Sequence, residues 1–360
     1  MLAVFAQVTD PRKRRGRRHR LPVLLTLATC AVLAGARSFT AIAEWAADAG
    51  ETVWSALGIA RVPDASTFRR VFAALDADAL DTVLGAWAAA VTSPEAGTRR
   101  RVAVDGKTLR GSRTGEVAGR HLLAAFDHHT GVVLGQVAVD AKTNEIPALP
   151  ILLTDLDLTG VIVTADALHT QTETARWLVD RGAHYVLTVK ANQPSLYAQL
   201  AALPWGQVTT TARTVERGHG RRERRTVKAT EVRAGLLFPY AVQAVRITRR
   251  RQPLTGGPTE TEVAYLVTSL PTHHASPTRL AAMVREHWLI ENRLHWVRDV
   301  TFGEDLSQVR TGNTHQVMAS LRNLAITILR LTGVTNIAAG IRHHARRPER
   351  PLEAIMKLAC

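Results

Sequence analysis

Two aspartates follow short apolar runs that have the composition of buried β-strands. Asp105 comes after Val102–Val104 and directly before Gly106, and Asp166 closely follows Val161–Thr164. β-Branched residues favour strands, and in α/β sheets ligands gather outside the strand ends. An ordinary turn aspartate before glycine is the alternative for Asp105. Because two strands deliver a carboxylate to the same kind of place, we favour a functional role for both.

A third acid, Glu291, falls within a predicted helix over Leu280–Arg298. His287 and His295 lie four residues before and after it, so a helix places all three side chains on one face. Among tryptophans, histidines and aliphatic residues, this carboxylate is expected to be partly removed from water. The alternative is a surface acid that is neutralised by a histidine or by Arg293.

The segments around the two aspartates predict a mixed α/β sheet. Three strands come first and are expected to form an antiparallel meander; a helix, a strand, a helix and a strand then follow, with crossovers between them. The later strands are predicted at His121–Asp127, Val132–Val139, Val161–Thr164 and His184–Val189, and the helices at Asn144–Leu153 and Thr172–Arg181.

The composition indicates a globular protein whose partner is a polyanion. Lys and Arg outnumber Asp and Glu by 46 to 31 in 360 residues, a formal net charge of +15. A soluble domain retains so large an excess of positive charge mainly when it binds a polyanion such as nucleic acid, which neutralises the repulsion. Cys30 and Cys360 are the only cysteines, which excludes a disulfide framework and a cysteine-based zinc site. A reducing cytoplasm is therefore the expected location.

Residues 1–95 are predicted to form an all-helical domain with a basic arm. The arm, Arg12–Arg20, precedes an uncharged run, Leu21–Ala36, in the order typical of a secretory signal. The run is short for a membrane span and continues at helical spacing, so we favour a buried helix. The arm is expected either to hold DNA phosphates or to remain solvated. Thr92–Arg100 has linker composition, and a second domain is predicted over residues 96–360.

A basic, β-rich insertion is predicted at about residues 206–262. Between Gln207 and Arg251 there are twelve lysines and arginines and three glutamates, a local net charge of +9. Charge of one sign at this density is repulsive without an anion, so phosphate contact is favoured over a solvated hairpin. The most basic stretch supplies four candidate DNA-binding residues, Arg221, Arg222, Arg224 and Arg225.

Four segments together resemble DDE transposases of bacterial insertion sequences, specifically the H-repeat-associated type. They are V-A-V-D-G-K-T-L-R-G-S, V-T-A-D-A-L-H-T-Q, V-L-T-V-K-A-N-Q-P and H-W-L-I-E-N-R-L-H-W-V-R-D-V-T-F-G-E-D. With the basic arm, the resemblance covers nearly the whole chain. It implies an enzyme that binds the ends of an insertion sequence, cleaves DNA by metal-dependent hydrolysis and joins the 3′ ends to target DNA. It also implies an RNase H-like mixed sheet whose catalytic and metal-binding triad is Asp105, Asp166 and Glu291.

Oxygen ligands without cysteine suit Mg²⁺ or Mn²⁺. Two such ions, about 4 Å apart, can activate the attacking oxygen and stabilise the leaving one. Asp105 is expected to bridge the ions, and Asp166 and Glu291 are each expected to complete one. The expected partners are double-stranded DNA, as terminal repeats and target, and a second copy of the chain once it is assembled on DNA. The nucleoid is then the expected site of action.

The resemblance has one departure. Many related transposases carry a Tyr, Arg, Glu and Lys signature, and this chain has Val284, His287, Glu291 and Arg298 at those positions. Because the Tyr and Arg linked to a hairpinned DNA end are missing, the resemblance does not extend to a hairpin intermediate. Six further residues are predicted to contact DNA, with an ordinary turn as the alternative for the three that follow a strand: Lys107, Lys190, Asn192, Gln193, His287 and Arg298.

Two other function classes remain open at this point. A domesticated DNA-binding or nuclease protein without transposition activity has the same charge and fold, and a nuclease assay distinguishes binding from cleavage. A zinc hydrolase built on Glu291 and His295 needs a third ligand, and a four-residue spacing alone is weak support for it.

Overall fold

The structure is a computed structural model that describes residues 1–95, 97–140, 142–218, 220–232 and 236–358. Cys360 and Arg233 lie outside the described residues. The helices are α1 (Leu2–Phe5), α2 (Leu21–Leu33), α3 (Phe39–Asp48), α4 (Gly50–Leu57), α5 (Ala65–Ala74), α6 (Ala77–Val91), α7 (Ala148–Leu153), α8 (Thr172–Asp180), α9 (Pro194–Ala201), α10 (Pro277–His287), α11 (Thr314–Leu331), α12 (Ile337–Ala345) and α13 (Glu349–Lys357). The strands are β1 (Arg101–Thr108), β2 (His121–Asp127), β3 (Val133–Val139), β4 (Ile162–Ala165), β5 (His184–Val189), β6 (Ala212–Gly218), β7 (Arg221–Glu231), β8 (Gln243–Pro253) and β9 (Glu260–Thr268).

The chain forms two compact units. The first comprises Met1–Ala96, Asp105–Leu156 and Leu289–Cys360, and the second comprises Gly97–Val104 and Asp157–Trp288. Strand β1 therefore gives its first four residues to the second unit and its last four to the first. The division into domains at residue 95 stays a prediction.

Helix α2 is the apolar centre of the N-terminal helices. Every residue of α2 except Pro22 is buried, as expected for the uncharged run. The hydroxyls of Thr26 and Thr29 donate to carbonyls one turn earlier, at 2.8 and 2.7 Å, so these polar groups are satisfied inside an apolar environment. Among the described residues, no helix has the length and apolar character needed to cross a membrane.

Side-chain caps determine where three of the helices in the first unit begin. Ser38, Asp64 and Asp76 each accept a hydrogen bond from the backbone N–H three residues later, which satisfies a donor that lacks an intrahelical partner. The long helix α11, buried from residue 316 to residue 329, then packs on α2, α5, α6 and β3.

The first unit contains the strand order β3-β2-β1, with β2 antiparallel to β3. Helix α6 lies directly against β3, and this close approach depends on Gly85. A Cβ at that position would overlap the carbonyl oxygen of Leu134, so only glycine permits the contact.

The second unit contains the order β1-β4-β5-β9-β8-β7-β6. Strands β1, β4 and β5 run parallel, with Val104 opposite Ala165, and the remaining pairs are antiparallel. Helix α10 packs on one face, where its Leu280 and Met283 join a core that includes Val227, Val245 and Leu266.

The expected mixed α/β class with a helical N-terminal region is confirmed, and β2 and β5 have the predicted bounds. Three elements differ clearly from expectation. Helix α7 begins at Ala148, four residues later than predicted. Strand β1 continues through Gly106 to Thr108, so Asp105 lies within the strand and not at its end. The predicted helix over 280–298 is α-helical only to His287 and continues as two π-helical segments, Glu291–His295 and Val297–Thr301.

Candidate active site

Strand β1 presents Asp105 in a shielded part of the first unit. Its side chain is 29% exposed. Burial raises the pKa of the carboxyl group to about 6; the charge of His295 opposes this shift, and the charges of Glu145 and Glu291 add to it. A carboxylate held near two others in a partly desolvated place favours a cation that offsets their repulsion.

Glu291 and His295 meet Asp105 from the first π-helical segment. The Nδ1 atom of His295 lies 3.1 Å from Glu291 Oε2 and 3.5 Å from Asp105 Oδ2. One ligand atom from each of the three side chains lies within 4.8 Å of the other two. The hydrogen bond to His295 lowers the pKa of Glu291, which therefore carries its negative charge at neutral pH. π-Helical turns occur frequently at functional sites.

The second ring nitrogen of His295, Nε2, is buried and lacks a hydrogen-bond partner among the described residues. The side chain as a whole is 3% exposed. Buried ring nitrogens are normally satisfied, and carboxylate and imidazole donors together bind divalent metals. The side chains present therefore fit a divalent cation. The four-residue spacing predicts that His295 lies beside Glu291, but not that it lies beside Asp105, which is remote in the sequence.

A hydrogen-bonded pair, His121 and Glu145, lies beside Asp105. The His121 Nε2 and Glu145 Oε1 atoms are 2.7 Å apart, and the other ring nitrogen is 2.8 Å from Thr108 Oγ1. A Cβ on Gly106 would overlap both members of the pair, so the glycine is what allows them to lie against β1. Nothing in the sequence pattern indicated this contact.

Lys107 neutralises two of the three acids that follow Glu291 before helix α11. Its ammonium nitrogen lies 2.5 and 2.6 Å from the two oxygens of Asp299 and 3.9 Å from Asp305. Lys107 is also nearly buried. Its charge is thus committed to carboxylates of its own unit, and its predicted DNA contact stays a prediction that this pairing does not favour.

Glu304 is fully enclosed between two arginines. It accepts hydrogen bonds from Arg298 at 2.8 Å and from Arg322 at 2.9 Å. Burial alone raises the pKa of Glu304, but the two guanidinium groups outweigh it and hold the pKa below its usual range. Arg298 is itself completely buried. This burial and the pairing with Glu304 give Arg298 a structural role, and its predicted DNA contact stays a prediction that they do not favour.

Asp166 belongs to the second unit and follows β4. Its carboxylate accepts a backbone hydrogen bond at 2.9 Å and caps the 3₁₀ turn Ala167–His169. The amides of Asn192 and Gln193 donate to carbonyls of the same loop at 2.7 and 2.8 Å. These two predicted DNA-binding residues therefore position the loop after Asp166, whereas Lys190 is exposed.

His287 ends helix α10 in the second unit. Its Nδ1 atom lies 3.0 Å from the hydroxyl of Thr164 in β4. The adjacent Glu286 pairs with Arg101 at 2.7 Å. Both contacts attach the helix to the parallel strands, and the predicted DNA contact of His287 stays a prediction.

The insertion strands sort their charges onto two faces. Successive side chains alternate along a strand, so the cross-strand register assigns each residue to a face. One face, which we call the cationic face, carries seven cations and no acid among the described residues of β6, β7, β8 and β9: Arg213, Arg217, Arg222, Arg224, Lys228, Arg246 and Arg250. The charge of Arg213, followed by burial and by Arg250 and Arg222, lowers the pKa of Arg224, as crowded cations do.

The opposite face of the insertion is internally neutralised. Glu223 pairs there with Arg225 at 2.5 Å, Arg249 at 2.8 Å and Arg251 at 3.6 Å. Of the four arginines singled out from the sequence, Arg222 and Arg224 thus lie on the cationic face, and Arg225 is held by Glu223. Arg221 is exposed at the start of β7, on the side of Arg225.

Two families match the sequence. The one described as Transposase DDE domain matches residues 96–328, and the one described as DDE_Tnp_1-associated matches residues 2–88. The chain belongs to the DDE transposase family. Members of this family are DNA-cleaving and strand-transferring enzymes of transposition and recombination, and the resemblance predicted from the four segments is confirmed.

This family member is 29% identical over 367 residues to a protein named as transposase YncI in Escherichia coli O157:H7, across 96% of the chain and 91% of that protein. It is 29% identical over 360 residues to an H repeat-associated transposase, YhhI of Escherichia coli (strain K12), across 91% and 89%. A solved piggyBac transposase synaptic complex with hairpin DNA has a TM-score of 0.42 and 11% identity, across 98% of this chain and 77% of that chain. That remote likeness does not define the fold.

Proposed function

We propose that this chain is the transposase of a bacterial insertion sequence. It binds the ends of the element, cleaves DNA by metal-dependent phosphodiester hydrolysis and joins the 3′ ends to target DNA. The observation that carries the proposal is the convergence of Asp105, Glu291 and His295 in a member of the DDE family. Metal-dependent phosphoryl transfer needs a preorganised group of this kind.

Asp166 completes the acidic triad in this proposal. Within the second unit, Val104 and Ala165 are register partners in parallel strands, and Asp105 and Asp166 are the next residues of the chain after them. This order supports an RNase H-like core over residues 96–360, interrupted by the basic insertion at about 206–262 and preceded by the helical domain over 1–95.

Asp105, Glu291 and His295 would hold a divalent cation, and Asp166 would share in binding it or a second ion. The predominance of carboxylate oxygens favours Mg²⁺ or Mn²⁺. When bound, the cation supplies Lewis-acid polarisation of the phosphodiester and a more acidic water.

The neighbouring residues prepare the carboxylates for this task. His295 orients Glu291 through their hydrogen bond. Lys107 is paired with Asp299, so Glu291 is the acid of this segment that remains beside Asp105 without a lysine or arginine partner. The His121–Glu145 pair supports β1 at Gly106. Fixed side chains of this kind lower the reorganisation that catalysis would otherwise require.

The partner is double-stranded DNA, as terminal repeats and as target. The cationic face of the insertion supports this assignment, because its seven cations lack acidic neighbours on that face. The active assembly is a homodimer on DNA, and the site of action is the nucleoid in the cytoplasm.

Cleavage of DNA that carries the ends of the element tests the proposal. The wild type should nick this DNA with Mg²⁺ or Mn²⁺, and Asp105→Asn, Asp166→Asn and Glu291→Gln should each lose cleavage while they retain DNA affinity. Glu353→Gln, at an exposed position of α13, is the control that keeps full activity. If the wild type binds the ends without cleaving them under either metal, the protein is a DNA-binding descendant and the proposal fails. Full activity of a triad variant removes that residue from the triad.

A further inference from the structure

A cleft of about 380 Å³ opens in the first unit between the start of α3, helix α5 and the segment before α11. None of the residues singled out from the sequence lines it. Its lining includes Arg37, Thr40, Arg69, Leu306 and Arg310.

Three arginines surround this cleft without an acid among its lining residues. Arg37, Arg69 and Arg310 are exposed, and within the described residues no carboxylate pairs with any of them. Arg37 donates to the Thr301 carbonyl at 3.0 Å, and Arg310 donates to the Gly111 carbonyl at 2.8 Å. These bonds orient two of the guanidinium groups yet leave their charge uncompensated. Like charges gathered at one concavity attract an anion.

The remaining polar groups of the cleft are suited to the oxygens of a sugar-phosphate chain. Four hydroxyls and one amide among its lining residues are not fully buried, those of Ser38, Thr40, Ser307, Thr311 and Gln308. Helix α3 begins at the cleft, with Ser38 as its cap, and α11 begins there at Thr314. Helix starts carry partial positive charge and therefore add to the field of the arginines.

We propose that this cleft binds the phosphodiester backbone of DNA, as a contact separate from the cationic face of the insertion. The inference rests on the proposed function, because it makes DNA the occupant. Charge complementarity supports the choice, because three exposed guanidinium groups and no acid line the cleft. A DNA backbone in the cleft is therefore held by the same unit that holds Asp105, Glu291 and His295.

Thr40→Glu tests the cleft without weakening the fold. Thr40 is exposed at the second position of α3, where a negative charge is favourable to the helix. We expect the thermal midpoint of this variant to equal or exceed that of the wild type, while its affinity for a DNA duplex falls at least about tenfold. Thr40→Gln, of the same size as Thr40→Glu and with an amide that can still donate to a phosphate, is the uncharged reference and should bind DNA more tightly than Thr40→Glu. Equal affinity of Thr40→Glu and Thr40→Gln would overturn the proposal.

Neutralisation of the arginines gives a second, independent readout. Conversion of Arg37, Arg69 and Arg310 to Gln should reduce the slope of log affinity against log salt by about 2 to 3, since each phosphate contact contributes about 0.9 on duplex DNA. The matched control converts Arg342, Arg346 and Arg347, three exposed arginines of the same unit, and should leave most of the slope intact. If the control triple variant changes the salt slope as much as the triple variant of the cleft arginines, the effect is one of general charge and the cleft proposal is overturned.

These binding measurements use the whole chain without divalent metal, so their outcome is distinct from that of the cleavage assay. Loss of binding in the cleft variants, with a wild type that never cleaves DNA, supports the cleft and removes the proposed function. If the wild type cleaves DNA and the cleft variants bind DNA as the wild type does, only the cleft proposal is overturned. A wild type that does not bind duplex DNA overturns the cleft.

Discussion

Glu291 and Glu304 lie in one short stretch of sequence and have different environments. Glu291 is 57% exposed and meets a single histidine, while Glu304 is 2% exposed and lies between two arginines. An exposed carboxylate whose nearest partner is an imidazole, itself a possible metal ligand, remains available to a cation. An acid that neutralises two buried guanidinium groups is part of the folded core. Its loss leaves both guanidinium charges buried without a counter-charge.

We therefore expect Glu291→Gln to abolish cleavage and to change the free energy of unfolding by no more than about 0.5 kcal/mol. Glu304→Gln should lower the free energy of unfolding by about 3 to 5 kcal/mol, because Arg298 and Arg322 remain buried without a counter-charge. Denaturant unfolding and the cleavage assay measure the two effects. A stable, inactive Glu304→Gln together with an active Glu291→Gln would move the third acid to Glu304.

Asp81 should make stability depend on pH. It is buried in α6, where it accepts hydrogen bonds from Gln136 and Gln316 near the charge of Asp78. Burial raises its pKa to about 7, and the hydrogen bonds of Ser320, Gln316 and Gln136 oppose the rise. The folded state then holds a proton that the unfolded state has released, and this stabilisation is full below about pH 4 and is lost as pH rises through about 7.

Asp81→Asn removes this titration. Relative to the wild type, the variant should gain about 2 to 4 kcal/mol of stability between pH 4 and pH 8, as measured by denaturant unfolding at a series of pH values. Asp48→Asn, at an exposed position, is the control and should track the wild type. A constant difference between Asp81→Asn and wild type at every pH would show that the carboxyl does not titrate in this range.

The sequence indicated Asp105 and Glu291, because their neighbours have the composition of a strand and of an apolar helix face. It could not indicate that Arg298 is buried. Its counter-ion, Glu304, and its other hydrogen-bond partners, Gln136 and Asn323, come from several elements. The burial of this guanidinium group depends on segments that are far apart in the sequence, so the local pattern around Arg298 does not reveal it.

Because side chains alternate along β7, DNA binding should depend on which of its arginines are removed. Conversion of Arg222, Arg224 and Arg250 to Gln removes three charges from the cationic face and should reduce the salt slope of DNA binding by about 2 to 3. Conversion of Arg225, Arg249 and Arg251 removes the same charge from the other face and should leave most of the slope unchanged. Equal slopes for the two triple variants would mean that net charge, and not the face, determines DNA binding.

The second triple variant should also be less stable than the first, because Glu223 loses all three partners while its side chain remains mostly buried. Thermal unfolding separates this effect from binding. A first triple variant that unfolds earlier than the second would contradict the division of the insertion into an unpaired and a paired face.

Short apolar runs between turn residues predicted β2 and β5 correctly, because each has a local pattern that agrees with its place in a sheet. Strand β1 was predicted too short. Glycine usually weakens a strand, but at Gly106 the missing Cβ admits the His121–Glu145 pair, and the strand continues. The π-helical segments were not predicted either, since the apolar spacing of a helix does not distinguish the two hydrogen-bond patterns.

The net charge of +15 acts on the whole molecule. Without DNA, repulsion among the cations opposes the compact state, and salt screens it. An increase from about 0.05 to about 0.3 M NaCl should therefore raise the melting temperature of the free protein while it weakens DNA binding through counter-ion competition. Calorimetry and a binding titration in the same buffers check both trends. A melting temperature that falls with salt would contradict this account.

Cation binding should also be visible as stability of the whole chain. A ligand that binds only the folded state contributes about 2.7 kcal/mol at a hundred times its dissociation constant. Mn²⁺ should therefore raise the melting temperature of the wild type, and this increase should be lost in Asp105→Asn and reduced in His295→Ala. His129→Ala, at an exposed position, is the control. An unchanged increase in His295→Ala would exclude that imidazole as a ligand.

The two π-helical segments limit which changes of length the gene can tolerate. A π turn holds one residue more than the α-helical turn it replaces. Loss of one codon within Glu291–His295 would remove the residue that the wide turn accommodates, and the hydrogen-bond pattern that sets the spacing of Glu291 and His295 would be lost. Asp105, which comes from a strand remote in the sequence, would then meet a differently spaced pair. We expect this stretch to diverge by substitution at constant length, while insertions and deletions accumulate in exposed loops such as residues 254–259.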